Sequence, residues 1–315
     1  LFLIADGTLT MGSLIACVIL SGRTLAPLGQ VSNLLGRFNQ AVTAYENFGQ
    51  LMQQPVKELG RTHQVRVDKV EGAIFIVNAS LTYPEQKEAV VKQLNLQLYA
   101  GEKIAIVGKI GSGKTSILRL IAGLYDPSEG SIKIDNHDIS HMHPDDVRQH
   151  IGVVMQVPML FSGTLKENLL MGNPDATDEQ MIAAAKIANV DEIASNLPDG
   201  YETLLSEGGK GLSGGQRQAI CIARAFVGDP KIIIMDEPSS AMDSGSEQQL
   251  LKDLQLRLKD KTLILITHRG TLLSLVDRVV VFDSGRIVAD GPKDKVLQAA
   301  QQAKQPQQQK PQEQS

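Results

Sequence analysis

The run Gly108-Lys109-Ile110-Gly111-Ser112-Gly113-Lys114-Thr115 sets glycines, a lysine and a hydroxyl in the spacing G-x-x-x-x-G-K-[ST]. Glycines at these points let successive backbone N–H groups turn inward around phosphate oxygens. The apolar helix expected from Ser116 to Ala122 adds the positive end of its dipole. Lys114 is then placed to neutralise β- and γ-phosphate charge, and the Thr115 hydroxyl to ligate magnesium. A glycine-rich turn ahead of a helix is the plain structural alternative. The short apolar strand expected from Lys103 to Val107, directly before the loop, favours phosphate binding.

A second chemical group lies downstream. Lys231-Ile232-Ile233-Ile234-Met235 reads as a buried strand ending in two carboxylates, Asp236 and Glu237. In open α/β sheets ligands gather at the carboxyl ends of strands, where these acids fall. Asp236 is placed to hold magnesium through water, and Glu237 to take a proton from water attacking a γ-phosphate. Alone, the pair could be an acidic strand end facing solvent. Beside a phosphate loop it points to hydrolysis, with ATP and Mg2+ as the bound species.

The elements that position these groups are legible as short apolar runs. Buried strands are expected at Ile151 to Met155, Ile232 to Met235 and Leu263 to Thr267, with helical segments between them. That alternation predicts an α/β centre with a parallel sheet. Between Val65 and Tyr99 the runs Ala73 to Val77 and Leu94 to Leu98 predict a strand-rich subdomain. Val279 to Phe282 and Arg286 to Ala289, around Asp283, Ser284 and Gly285, predict a closing hairpin. From about Gln301 onward Gln, Lys and Pro leave almost nothing to bury, which predicts a disordered tail.

At the other end, Leu1 to Ala5 is apolar, Asp6 to Thr10 is a turn, and Met11 to Leu20 is apolar until Ser21, Gly22 and Arg23 interrupt it. Two helices joined by a hairpin are expected. Such a run is shorter than the roughly 20 residues a bilayer span needs, so hydropathy leaves a core helix and a membrane segment both open. Leu28, Val31, Leu34, Leu35, Phe38, Val42, Tyr45, Phe48, Leu51 and Met52 recur at helical spacing. They predict that one long amphipathic helix continues past the apolar run through Leu25 to Met52, closed by Pro55. With no basic segment ahead of the apolar start, no signal peptide is expected, and the sequence reads as a piece of a longer protein.

Composition excludes more than it specifies. The 315 residues are 42% hydrophobic, enough for a full core and an appendage. Lys and Arg (31) nearly balance Asp and Glu (35), so there is no electrostatic footprint for nucleic acid. Cys17 and Cys221 each lie in an apolar run and are expected to be packing residues, not a disulfide or zinc site.

Leu212-Ser213-Gly214-Gly215-Gln216-Arg217-Gln218 resembles the signature motif of ATP-binding cassette proteins, placed shortly before the acid-pair strand as in that family. Its local physics fits an anion site, since a Ser and two glycines open a helix expected from Gln216 to Val227. The resemblance implies that Ser213, Gly214, Gly215 and Gln216 complete the nucleotide site of a facing partner. It thus implies a head-to-tail sandwich of two copies holding two ATP molecules. Matched one at a time, Tyr83 resembles the aromatic that stacks on adenine. Gln156 resembles the glutamine that touches magnesium and reports to the membrane domain, and Asp243 the aspartate of the dimer seam. His268 resembles the switch histidine that contacts γ-phosphate, and Ser116 falls within the phosphate-loop match. The remaining histidines, His63, His137, His141, His143 and His150, match nothing and are expected at the surface.

The implied fold class is α/β, a phosphate-loop NTPase of the cassette type. It has a mixed, mainly parallel sheet, an antiparallel β subdomain and a helical subdomain at about 144–217, preceded by a transmembrane-derived helix. The implied boundaries are 1–55 for the end of an exporter transmembrane domain, 56–69 for a linker, 70–299 for the nucleotide-binding domain and 300–315 for the tail. This resemblance turns the N-terminal segment into a bilayer partner, in a multi-pass bacterial inner-membrane protein with its nucleotide domain in the cytoplasm. Arg23 would then face the bundle interior or a wet pathway. Leu205-Ser206-Glu207-Gly208-Gly209-Lys210-Gly211 is similar to the version in type I protein-secretion exporters, especially those moving large adhesins. That implies an exported protein substrate, a periplasmic adaptor and an outer-membrane channel as partners. An exporter of lipid, drug or peptide, a soluble cassette ATPase and a non-hydrolysing cassette are the alternatives; intact Glu237 and His268 speak against the last.

Overall fold

A computed structural model describes residues 6–7, 10–53, 65–84 and 86–304. The chain divides into two compact units, Leu1–Thr62 and His63–Ser315.

The described part of the first unit is one helix, α1 (Met11–Met52), capped where the Thr10 side chain accepts a hydrogen bond from the Ser13 amide. It runs unbroken through Ser21-Gly22-Arg23 and Pro27, continuing past the apolar run as expected. Ser21 and Thr24 turn their hydroxyls back onto the carbonyls of Val18 and Leu20 at 2.9 and 2.7 Å. A mid-helix glycine costs only about 1 kcal/mol. Between Met11 and Gly36 the only charge is Arg23, so an 18-residue stretch is apolar enough to cross a membrane by length and composition. The apolar positions surround the helix over Met11 to Leu20, and beyond it Leu28, Val31, Leu35, Phe38, Val42 and Tyr45 recur along one side. None of its residues is buried, and Cys17 is exposed instead of packed. The first arm of the predicted hairpin and Pro55 lie outside the described residues.

The second unit is built on a six-stranded sheet of order β12-β11-β3-β10-β9-β6. Its strands are β3 (Lys103–Val107), β6 (Ile151–Val154), β9 (Ile232–Asp236), β10 (Thr262–Ile266), β11 (Arg278–Asp283) and β12 (Arg286–Pro292). All neighbours are parallel except the β11–β12 hairpin. The central strands are continuous apolar runs because both faces are covered. Ile104, Ile106, Ile232, Ile234, Ile264 and Ile266 join one core, and the alternate residues Ala105, Ile233, Met235, Leu263 and Leu265 join the other.

The first core lies under α2 (Lys114–Ile121) and an antiparallel sheet of order β2-β1-β4-β5. That sheet comprises β1 (Ile74–Leu81), β2 (Val91–Leu98), β4 (Glu129–Ile134) and β5 (His137–Asp138). β1 and β2 fall in the expected strand-rich stretch; β4 joins them from beyond the phosphate-loop helix, a long-range pairing the local pattern did not reveal. On the second face α4 (Leu165–Leu170), α5 (Asp178–Ala185) and α6 (Val190–Ser195) pack on α7 (Gly214–Phe226), beside the short β7–β8 pair (Gly163–Thr164, Leu204–Leu205). The helical stretch expected over 144–217 is therefore not continuous: α3 (Pro144–His150) is followed by β6, which belongs to the main sheet. α8 (Ser244–Arg257) and α9 (Lys293–Lys304) complete the unit, and α9 runs into the segment expected to be a structureless tail; residues 305–315 lie outside the description.

The expected linker at 56–69 also shortens. Val65 donates its amide to His141 O at 2.8 Å, Val67 donates to Asp146 Oδ2 at 2.8 Å, and Val67 and Val70 are buried. His150, expected at the surface, is buried with Nε2 2.8 Å from Val67 O, and His143 caps α3 by accepting from the Asp145 amide. Their segment needs partners for backbone groups that would otherwise be orphaned. His137 and His141 are exposed, and His63 is outside the described residues.

Candidate functional site

Four adjacent parallel strands end side by side, and each delivers one predicted group. The phosphate loop follows β3, Thr267 and His268 follow β10, Asp236 ends β9 with Glu237 next, and Gln156 lies two residues past β6. Register fixes the order, with Ile106 beside Ile266 and Ile266 beside Asp236.

The loop needs its glycines for space. A Cβ on Gly108 would stand 1.9 Å from Phe282 O, and Gly113, at φ 102°, would bring one to 3.0 Å from Val90 O. Ser112 donates its amide to Lys109 O at 3.2 Å and accepts at its own carbonyl from the Gly285 amide at 3.1 Å. The β11–β12 turn thereby braces the loop from behind. Lys109, Ile110 and Gly111 form the exposed tip, with Ile110 at 94% exposure. The buried Ser112 hydroxyl has no protein partner. Lys114 folds its ammonium onto Gly108 O and Lys109 O at 2.8 and 2.7 Å. Burial lowers its pKa against the raising influence of Asp236 and Glu237.

Thr115 Oγ1 donates to Asp236 Oδ2 at 2.6 Å. Burial pushes the Asp236 carboxyl up, opposed by Thr115, Lys114, Arg119 and His268. Among the described residues no three His, Cys, Asp or Glu side chains cluster as a metal cage. A hydroxyl and one carboxylate beside a phosphate cradle suit magnesium, which keeps waters and phosphate oxygens in its shell. The donor set fits that ion. Gln156 is exposed.

Glu237 takes φ 48°, a left-handed conformation rare for a side chain of its size. Its amide donates to Ile266 O at 2.9 Å and its carbonyl accepts from the Ser240 amide at 3.1 Å. The carboxylate accepts from His268 N at 3.0 Å and from Thr267 Oγ1 at 3.4 Å, and His268 Nε2 lies 3.8 Å away. Such backbone strain costs about 1–3 kcal/mol and persists where surrounding structure overrides it.

Tyr83 and Ser116, singled out separately from sequence, touch: their hydroxyl oxygens are 3.0 Å apart. Arg119, which sequence reasoning missed, donates to Tyr83 OH at 3.1 Å, and Tyr125 packs edge-on to the ring at 5.0 Å.

The Ser213 group lines a different cavity. Ser213 caps α7, accepting from Gln216 N at 3.1 Å while Gln216 Oε1 accepts from Ser213 N at 2.8 Å. Gly214 and Gly215 lie against Ala241 and Met242. A cavity of about 370 Å³ is lined by Ser213, Gly214, Gly215, Gln216, Met242 and Asp243 among others, and by no residue of the phosphate loop or acid pair. Asp243 caps α8, and hydrogen bonding from Ser246, first through its side chain, holds its carboxyl below the usual value.

Sequence reasoning also missed Glu247, Arg269 and Thr271. Buried Glu247, on α8, accepts from both of the others, which closely follow His268 in the chain. The pairing spans more than twenty residues, and no local motif announces it.

Residues 91–240 match the sequence model of the ABC transporter family. The leukotoxin translocation ATP-binding proteins LktB of Pasteurella haemolytica-like sp. (strain 5943B) and of Mannheimia glucosida are each 36% identical over 296 residues, covering 94% of this chain and 42% of theirs. A bacterial Atm1-family ABC exporter solved with ATP bound superposes at a TM-score of 0.72 with 29% identity, over 95% of this chain and 54% of that one. The chain thus spans less than half the length of the curated relatives it matches.

Proposed function

We propose that the chain, whose residues 91–240 match the ABC transporter family model, is the ATP-hydrolysing part of an exporter, one that secretes a protein by the type I route. The observation that carries the hydrolytic reading is the meeting of Lys114, Thr115, Asp236, Glu237 and His268 at neighbouring strand ends. Backbone amides of the loop and the start of α2 bind the phosphates, and Lys114 exchanges its carbonyl contacts for phosphate oxygens. Thr115, Asp236 and Gln156 are the residues we assign to magnesium, whose charge offsets that of the phosphates. Glu237, oriented by His268 N and Thr267, accepts the proton of the attacking water; the water oxygen bonds to the γ-phosphorus and ADP leaves. His268 contacts the γ-phosphate, and Tyr83 with Ser116 borders the base and α-phosphate side.

The separate cavity at Ser213 supports a head-to-tail pair of copies, each lending its capped helix to the other's nucleotide. The uncovered apolar surface of α1 supports its placement in a bilayer. Similarity to the leukotoxin translocation proteins supports a protein substrate and, by extension, a periplasmic adaptor and an outer-membrane channel. Two experiments test the reading. ATP turnover by the full-length protein in lipid is expected and its absence overturns hydrolysis. A secreted protein retained in cells lacking the gene is expected, whereas unaltered secretion with loss of small-molecule efflux would reassign the cargo.

A further inference from the structure

The loop from Thr267 to Thr271 carries the groups that hold Glu237, and it has an anchor outside the site. Glu247 is 5% exposed on α8, and its carboxylate accepts from the Arg269 guanidinium and the Thr271 hydroxyl. Immediately before these two contacts stands His268, whose amide donates to Glu237 at 3.0 Å. Arg269 donates its own amide to Thr267 Oγ1 at 3.0 Å, and that hydroxyl in turn reaches Glu237 at 3.4 Å. Arg269 also extends to Ser240 O at 3.4 Å, tying the loop to the segment just after Glu237. A buried carboxylate with two charge-assisted donors is a stiff attachment, because releasing either donor leaves a desolvated charge underpaired.

We propose that Glu247 is a positioning residue for ATP hydrolysis: it clamps the Thr267 to Thr271 loop through Arg269 and Thr271, and the loop fixes the Glu237 carboxylate. Glu247 touches neither nucleotide nor water in this scheme. The inference rests on the proposal that Glu237 is the base.

The test compares Glu247→Gln in the wild-type and Glu237→Gln backgrounds of the full-length protein in lipid. An amide keeps the size but turns an N–H toward the two donors. The expected result is a fall in kcat of about tenfold or more, with the KM for ATP and equilibrium ATP binding within about twofold. In the Glu237→Gln background the residual rate should change by less than about twofold, since the residue through which Glu247 acts is already disabled. Equal losses in both backgrounds, an unchanged kcat, or lost ATP binding would overturn the proposal. Should Glu247→Gln fail to fold, Thr271→Ala removes one anchor alone; a severalfold drop in kcat at constant KM supports the clamp and an unchanged kcat refutes it. No turnover in the wild type would instead strike the hydrolytic reading, and this inference with it.

Discussion

Glu237 pays for its position with a left-handed backbone, and the two hydrogen bonds its carboxylate receives from Thr267 and His268 aim it in one direction. A positioned general base contributes about 10² to 10⁴ in rate, so Glu237→Gln should bind ATP normally and hydrolyse it slower by that factor. Near-normal single-turnover rates would remove Glu237 from the role. Asp236 gives a second prediction. Burial raises its carboxyl, so stability is lost as pH rises above the ordinary aspartate value and through the folded pKa. Asp236→Asn should therefore melt higher than wild type above that folded pKa, with the gain vanishing below the ordinary aspartate range, while magnesium-dependent turnover is lost. Both acids were legible because a strand of isoleucines ends in them. Glu247 was not, because its meaning lies in a contact with Arg269 that only the fold creates.

At the scale of elements, α7 begins with a reciprocal cap that the motif Ser213 to Gln216 announced. Ser213→Arg should abolish turnover while leaving the phosphate loop able to bind nucleotide, as measured by ATP binding to the purified variant; lost binding would place Ser213 in its own chain's site. The Val65 to Val67 segment yields a pH test. Burial opposes the Asp146 carboxylate, but bonds from the Val67 amide and Arg66 outweigh it and hold the group below its usual pKa. Its stabilisation is present above the unfolded pKa and lost as pH falls through the folded one. Asp146→Asn should cost about 1–2 kcal/mol at neutral pH in chemical denaturation, with the gap closing in acid. Local pattern found the central strands, since their apolar runs are buried on both faces. It missed β4, whose partner strand lies more than forty residues away.

At the scale of the molecule, the phosphate cradle with its acids and the serine-capped helix beside Asp243 line different spaces. In the proposed head-to-tail pair neither suffices alone, so ATP acts as a bond between copies and thereby works on the helices attached to them; it shifts that equilibrium only by its preference for the joined state. The most direct measurement mixes two versions of the full-length protein lacking Cys17 and Cys221 and carrying Glu237→Gln, one with Ile110→Cys at the exposed loop tip and one with Ser213→Cys. The account predicts a disulfide between the two chains that forms with ATP and not without it. A doubly substituted chain that links Ile110→Cys to Ser213→Cys within itself, with no link between copies, would contradict it.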